Sequence, residues 1–127
     1  GLQQEVQLTG AVPLDELRKL YAACDIFVLP SLTEAAPQAP VEAMASGKPV
    51  VAFDIKSSAE IIDHGKTGYI TDRNNAGEMA QRVVELAENK GLREKMGTSG
   101  RKRVEEMFSF EKTQEEIKDL ITRSNGI

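Results

Sequence analysis

Residues 30–54 read PSLTEAAPQAPVEAMASGKPVVAFD. The stretch follows an apolar run, Ile26-Phe27-Val28-Leu29, and closes in another, Val50-Val51-Ala52-Phe53. Two carboxylates, Glu34 and Glu42, lie between the runs with seven residues separating them. Pro37 and Pro40 fall in that interval and forbid one helix through it, because proline lacks the N–H and its ring clashes with the preceding turn. Glu34 is therefore expected in a loop, and Glu42 in the first turn of a short helix, 41–46, that Gly47 ends. Strand, loop, helix N-terminus and second strand in so short a span is the layout of an α/β ligand site.

Upstream, Val6-Gln7-Leu8-Thr9 alternates and stops at Gly10, which predicts a short strand. Pro13 opens a helix in which Leu14, Leu17, Leu20 and Tyr21 share a face. Residues 26–29 carry no polar alternation, as expected for a strand covered on both faces of a parallel sheet. Downstream, Ser57 and Ser58 are expected to cap a short helix, 59–63. His64-Gly65-Lys66-Thr67-Gly68 is turn material, and Tyr69-Ile70-Thr71 a last short strand.

From Asn75 the pattern is helical only. Met79, Val83, Leu86 and Ala87 form one stripe; Leu92, Met96 and Val104 mark a second helix, expected to break around 97–100 at its glycines. Ser109 precedes a third helix, in which Ile117, Leu120 and Ile121 repeat on one face. Strands alternating with helices over 5–71, then helices over 75–124, predict an α/β fold: a Rossmann-like parallel sheet with right-handed crossovers and C-terminal helices.

At 127 residues the chain is one domain. Its net charge of −4 gives no electrostatic reason to expect nucleic acid. A single cysteine, Cys24, excludes an internal disulfide and is read as a small apolar group near a helix end. No apolar run approaches the roughly 20 residues of a membrane span, and no signal peptide opens the chain. The expectation is a cytoplasmic domain, or one peripheral to a membrane in a parent protein. Because the chain starts at Gly1 and runs almost at once into the expected strand, it reads as a piece of something longer.

A carboxylate in the loop after residues 26–29 points into the crevice where parallel sheets bind ligands. Glu34 is placed there to accept hydrogen bonds from a polyhydroxylated ligand. Pro40 suits the first helical position, so the N–H groups of Gln38, Ala39 and Val41 would cluster at a positive helix end as an anion site. Glu42 could reach vicinal hydroxyls. A carboxylate for a sugar, N–H groups for phosphate and a carboxylate for ribose describe a nucleotide-sugar. The bland alternatives are that Glu42 serves the helix dipole, worth about 0.3–1 kcal/mol, and that Glu34 is merely solvated.

Elsewhere the structural readings prevail. His64 is the only histidine and has no second His or Cys near it. Arg101-Lys102-Arg103 is interleaved with Glu94, Glu105 and Glu106, a mixed-charge helix face rather than a nucleic-acid patch. Met79, Met96 and Met107 fit core packing.

Leu29-Pro30-Ser31, the Glu34 and Glu42 pair, Glu42-Ala43-Met44-Ala45-Ser46-Gly47-Lys48-Pro49-Val50-Val51-Ala52, Glu60-Ile61-Ile62 and Gly65-x-Thr67-Gly68-Tyr69 resemble, in order and spacing, the C-terminal domain of group 1 (family 4) glycosyltransferases. Phe108-Ser109-Phe110 is similar to the family's Phe-Ser-aromatic segment before its last helix. The resemblance covers nearly the whole chain.

It implies a GT-B enzyme of two Rossmann-like domains. Such an enzyme transfers a sugar from a UDP- or GDP-type donor with retention of anomeric configuration, without cofactor or dedicated metal site. Glu34 takes the catalytic position and contacts hydroxyls of the donor sugar, while Glu42 binds the ribose. Ser31, Ala35, Ala36, Gln38 and Ala39 complete the donor site, the last three through backbone N–H groups that meet sugar and diphosphate. No Asp-x-Asp occurs in the chain.

Departures are specific. Where the family usually has Gly-Phe-Gly or similar after the first Glu, this chain has Ala35-Ala36-Pro37, and Pro37 deletes one N–H. Ser57-Ser58 replaces the usual Gly-Gly. The resemblance also implies that the acceptor-binding N-terminal domain is missing, along with the first two strands of this domain and their diphosphate-neutralising Arg and Lys. Residues 26–29 would then form an exposed apolar edge, with 6–9 pairing onto it or two chains pairing edge to edge. Three alternatives stay open: a non-catalytic α/β binding module of flavodoxin or receiver type, an epimerase or hydrolase on the same two-domain fold, and a structural fragment without activity.

Overall fold

The structure is a computed structural model that describes residues 1–33, 38–108 and 118–122. Its centre is a three-stranded parallel sheet. Strand β1 is Phe27–Leu29, β2 Val50–Phe53 and β3 Gly68–Thr71, and they lie in that spatial order. Phe27 sits opposite Val50, and Val50 opposite Gly68, so all three strands run the same way and end at one side. Helix α1 (Leu14–Ala23) precedes β1, α2 (Gln38–Ala45) and α3 (Lys56–Ile61) follow β1 and β2, and α4 (Ala76–Ala87) and α5 (Lys90–Met107) follow β3.

The period-2 alternation of strand side chains sorts the core into two layers. On one face Val50 and Ala52 meet Tyr21 of α1, Ala43 and Met44 of α2, Ile61 of α3, Ile62 just past it and Val104 of α5. On the other, Val51, Phe53 and Tyr69 meet Met79 and Leu86 of α4 and Met96 of α5. All four residues of β2 are buried, the run without alternation that a central strand of a parallel sheet needs. Helix α5 therefore serves both layers, Met96 on one face and Val104 on the other.

Helix α5 is continuous, where a break around 97–100 was expected. Its glycines remove bulk instead of ending the helix: a Cβ on Gly97 would lie 1.9 Å from the Gly47 carbonyl oxygen. Gly47 has φ +76° and closes α2 in a Schellman turn, its N–H donating to the Met44 carbonyl (2.9 Å) and that of Lys48 to the Ala43 carbonyl (3.1 Å). α5 passes directly over that turn.

Three other expectations are corrected. Residues 6–9 form no strand; Val6 and Leu8 are exposed, and the segment pairs with none of the described strands. Alternation makes a strand only where a neighbour accepts its backbone bonds, and the segment does not pair with β1. Ser57 and Ser58 do not cap: Ile55 is the N-cap of α3, and both serines are buried within it. Pro40 is the third residue of α2 rather than the first, still in the turn where a missing N–H costs nothing.

β1 has only β2 beside it, so its outer edge is open among the described residues, and Val28 is exposed rather than covered. Of the expected third C-terminal helix, 118–122 is helical; Ser109 and Ile117 lie outside the described residues. None of the described helices is long and apolar enough to cross a membrane.

Cys24 caps the end of α1 half-buried, its thiol donating to the Tyr21 carbonyl (3.3 Å). His64 is exposed but not idle, because its Nδ1 accepts the Ile70 N–H at 2.9 Å. Beside it the Tyr69 hydroxyl donates to Glu85 (2.9 Å), while Arg82 pairs with Glu85 (3.1 Å) and stacks 4.3 Å over the Tyr69 ring. The Tyr69 bond and then Arg82 hold the Glu85 carboxyl below the usual range. A depressed folded-state value favours folding above the unfolded-state value and loses that contribution as pH falls through the folded one. The stability difference between wild type and Glu85→Gln is thus expected to be present at neutral pH and to shrink in acid as the Glu85 carboxyl protonates. Urea melts across that window check it; a gap that stays constant with pH would exclude the assignment.

Candidate functional site

The carboxyl ends of β1, β2 and β3 all open to one side, and the connection from β1 delivers the N-terminus of α2 there. That is where an open parallel sheet binds ligands. Ser31, two residues past β1, is half-buried. Gln38 is exposed and Ala39 half-buried in the first turn of α2, whose leading N–H groups have no partner within the helix. Glu34, Ala35, Ala36 and Pro37 lie outside the described residues.

Glu42 differs from expectation in an informative way. Because α2 starts at Gln38, Glu42 is its fifth residue, and no acidic residue lies in the first turn. The helix-dipole benefit falls off within that turn, which removes the main structural explanation for a carboxylate here. Glu42 is half-buried on the side of α2 that faces α1. With Leu14, Arg18 and Tyr21 of α1 and Ala45 and Ser46 of α2's end, it lines a cavity of about 440 Å³.

In the sequence Tyr21 is one more member of the α1 apolar stripe; in the fold it does more. It is the only buried residue of α1. Burial, and then the facing Glu42 carboxylate as a charge and as hydrogen-bond acceptor, push its phenol above the ordinary value. The available signal was its hydroxyl: a buried tyrosine usually finds a partner for it.

Glu60, Ile61 and Ile62 belong to the framework. Arg103 of α5 donates to the carbonyls of Ile61 (2.6 Å) and Glu60 (3.3 Å), tying the end of α3 to the helical layer. Two other grooves, one lined by Asp63, Lys66, Lys102 and Arg103 and one by Asp25, Lys48, Lys90 and Arg93, lie at the amino ends of the strands, and Glu42 lines neither. Among the described residues no group of three or more His, Cys, Asp or Glu is placed to hold a metal ion.

A parallel α/β sheet with a helix following its first strand has the Rossmann-like layout in which ligands bind at the carboxyl ends of the strands. Residues 1–103 match the family "Glycosyl transferases group 1", and the chain belongs to that family. It is 33% identical, over 84% of its length, to an uncharacterised glycosyltransferase of Methanocaldococcus jannaschii. It is 29% identical, over 95% of its length, to the GDP-mannose-dependent α-(1-6)-phosphatidylinositol monomannoside mannosyltransferase of Mycobacterium tuberculosis.

Among solved structures, TarM of Staphylococcus aureus in complex with fondaparinux, α-GlcNAc-glycerol and UDP superposes with a TM-score of 0.85. That match has 31% identity and covers 94% of this chain. The chain spans only 30%, 33% and 24% of the lengths of these three proteins, respectively.

Proposed function

We propose that this chain is the donor-binding part of a retaining glycosyltransferase that moves a sugar from a nucleoside-diphosphate sugar to an acceptor held by a separate N-terminal domain. The observation that carries this reading is Glu42, half-buried in the middle of α2 on a cavity shared with α1, in a chain of the group 1 family whose α2 follows the first strand of a parallel sheet. The UDP in the TarM complex and the GDP-mannose in the mycobacterial enzyme's name support the donor class.

In this reading Glu34 takes the catalytic, sugar-contacting position. Ser31, Ala35 and the N–H groups of Ala36, Gln38 and Ala39 surround sugar and diphosphate, and Glu42 takes the ribose. Helix N-terminal N–H groups and the dipole behind them favour the diphosphate charge. Pro37 contributes no N–H, so the diphosphate is held by fewer backbone donors than a glycine-containing loop would offer. Half of a two-domain cleft performs no transfer, and turnover of a labelled donor by this chain alone would overturn that part. The open edge of β1 is the surface through which upstream strands of the parent, or a second copy, would pair.

The direct test is calorimetric titration of the 127-residue chain with UDP, GDP and ADP. UDP or GDP is expected to bind weakly and to protect the Ser31 and Gln38 amides from exchange. Identical, negligible heats for all three nucleotides would count against the donor reading.

A further inference from the structure

We propose that Tyr21 is a positioning residue for Glu42: its hydroxyl, carried on α1, orients the carboxylate that α2 presents to the ribose. The inference rests on the donor-binding reading and names a residue of α1 as part of that site.

The geometry is built on rigid elements. The Tyr21 ring packs against Phe27 of β1, centroids 5.7 Å apart and planes tilted by 50°. It shares a core cluster with Ala43 and Met44, the residues next to Glu42 on α2. The C-terminal turn of α1 is closed by the Cys24 N–H on the Leu20 carbonyl (3.0 Å) and the Cys24 thiol on the Tyr21 carbonyl (3.3 Å). The α2 side is closed by the Ser46 hydroxyl on the Glu42 carbonyl (3.0 Å). A phenol locked by packing thus faces a carboxylate on a long, rotatable side chain, across the cavity that both line.

The chemistry follows from what each group can donate and accept. A carboxylate only accepts, and its two oxygens offer about four lone-pair directions. One bond from the phenol would fix the rotamer and leave the remaining directions for a vicinal diol, which donates twice. A carboxylate held in advance also loses less side-chain entropy when the ligand arrives. Arg18, one turn before Tyr21 and on the same cavity, supplies a cation at the wall but no single fixed donor of that kind.

The test compares UDP or GDP with its dideoxy counterpart, which lacks both ribose hydroxyls, on the 127-residue chain and its variants. Wild type is expected to prefer the ribonucleotide. Tyr21→Phe keeps the ring against Phe27 and is expected to leave the melting midpoint nearly unchanged. It should weaken ribonucleotide binding about three- to tenfold, the scale of one hydrogen bond, and leave dideoxynucleotide binding unaltered. If Glu42→Ala leaves the ribo-to-dideoxy ratio untouched, the ribose reading itself is wrong. If Glu42→Ala collapses the ratio and Tyr21→Phe does not, only the Tyr21 inference falls. The same holds if Arg18→Gln collapses it in place of Tyr21→Phe.

A second measurement needs no ligand. The Tyr21 phenol titration, followed by its ring resonances, is expected to move toward the ordinary tyrosine value in Glu42→Gln. An unmoved titration would overturn the inference whatever the binding data give.

Discussion

Gly97→Ala is expected to destabilise the fold by about 3 kcal/mol or more, at the upper end of what overpacking costs. The added Cβ would lie 1.9 Å from the Gly47 carbonyl oxygen and 2.8 Å from its carbon, well inside contact distance. Both atoms are backbone, so no side chain can rotate away. The Gly47 turn cannot yield cheaply either, because it is pinned by its own Schellman bonds and by a positive φ that glycine tolerates best. Relief would require α5 to lift off, and α5 carries Met96 and Val104 into both core layers.

Helix propensity alone gives the opposite sign, since alanine is favoured over glycine by roughly 1 kcal/mol inside a helix. Gly91→Ala, in the exposed first turn of α5 with nothing nearer than Asn89 at 3.6 Å, is the control expected to be neutral or slightly stabilising. Gly100→Ala meets only the Met44 side chain at 3.6 Å or beyond and is expected to cost far less than Gly97→Ala. Urea denaturation of the three variants checks the order; a Gly97→Ala midpoint at or above wild type would refute the close-approach account.

Those glycines also show what a linear sequence conceals. Two glycines three apart look like a break when read along one helix, and like a contact surface only when the Gly47 turn is in view. The alternation of residues 6–9 is as strand-like as that of real strands, yet the segment has no pairing partner among the described residues, and a strand is defined by its partner. Ser57 and Ser58 carry a capping signal, but Ile55 occupies the cap and the serines are drawn inside α3. By contrast, β2 was legible because four consecutive apolar residues between Pro49 and Asp54 leave little else to build. The end of α2 was legible because Gly47 carries its own backbone reason.

The site divides in the same way. The Glu34 and Glu42 pair is visible as spacing, and its roles come from family resemblance. The company that Glu42 keeps is not visible: Leu14, Arg18 and Tyr21 lie between 21 and 28 residues earlier and arrive only through the packing of α1 on α2.

Glu42→Ala is expected to weaken UDP or GDP binding by about a hundredfold or more, and the direction of the effect is more diagnostic than its size. A diphosphate at the α2 N-terminus is attracted by the positive helix end, and a carboxylate on the same helix opposes that attraction. If Glu42 were only structural, removing its charge would leave nucleotide affinity unchanged or improve it. If it accepts two hydrogen bonds from the ribose, its loss removes interactions worth about 1.5–3 kcal/mol each for a charged acceptor, and affinity falls despite the relieved repulsion. Glu42→Gln should lie between the two, because the amide retains one oxygen acceptor but replaces the other with a donor. Inorganic pyrophosphate separates the terms: it carries the diphosphate charge without the ribose, so Glu42→Ala is expected to leave its binding equal or tighter. Calorimetry with pyrophosphate and the nucleoside diphosphate side by side decides the matter. Parallel weakening of both ligands would mean that the substitution disturbs α2 itself, and the ribose assignment would have to be withdrawn.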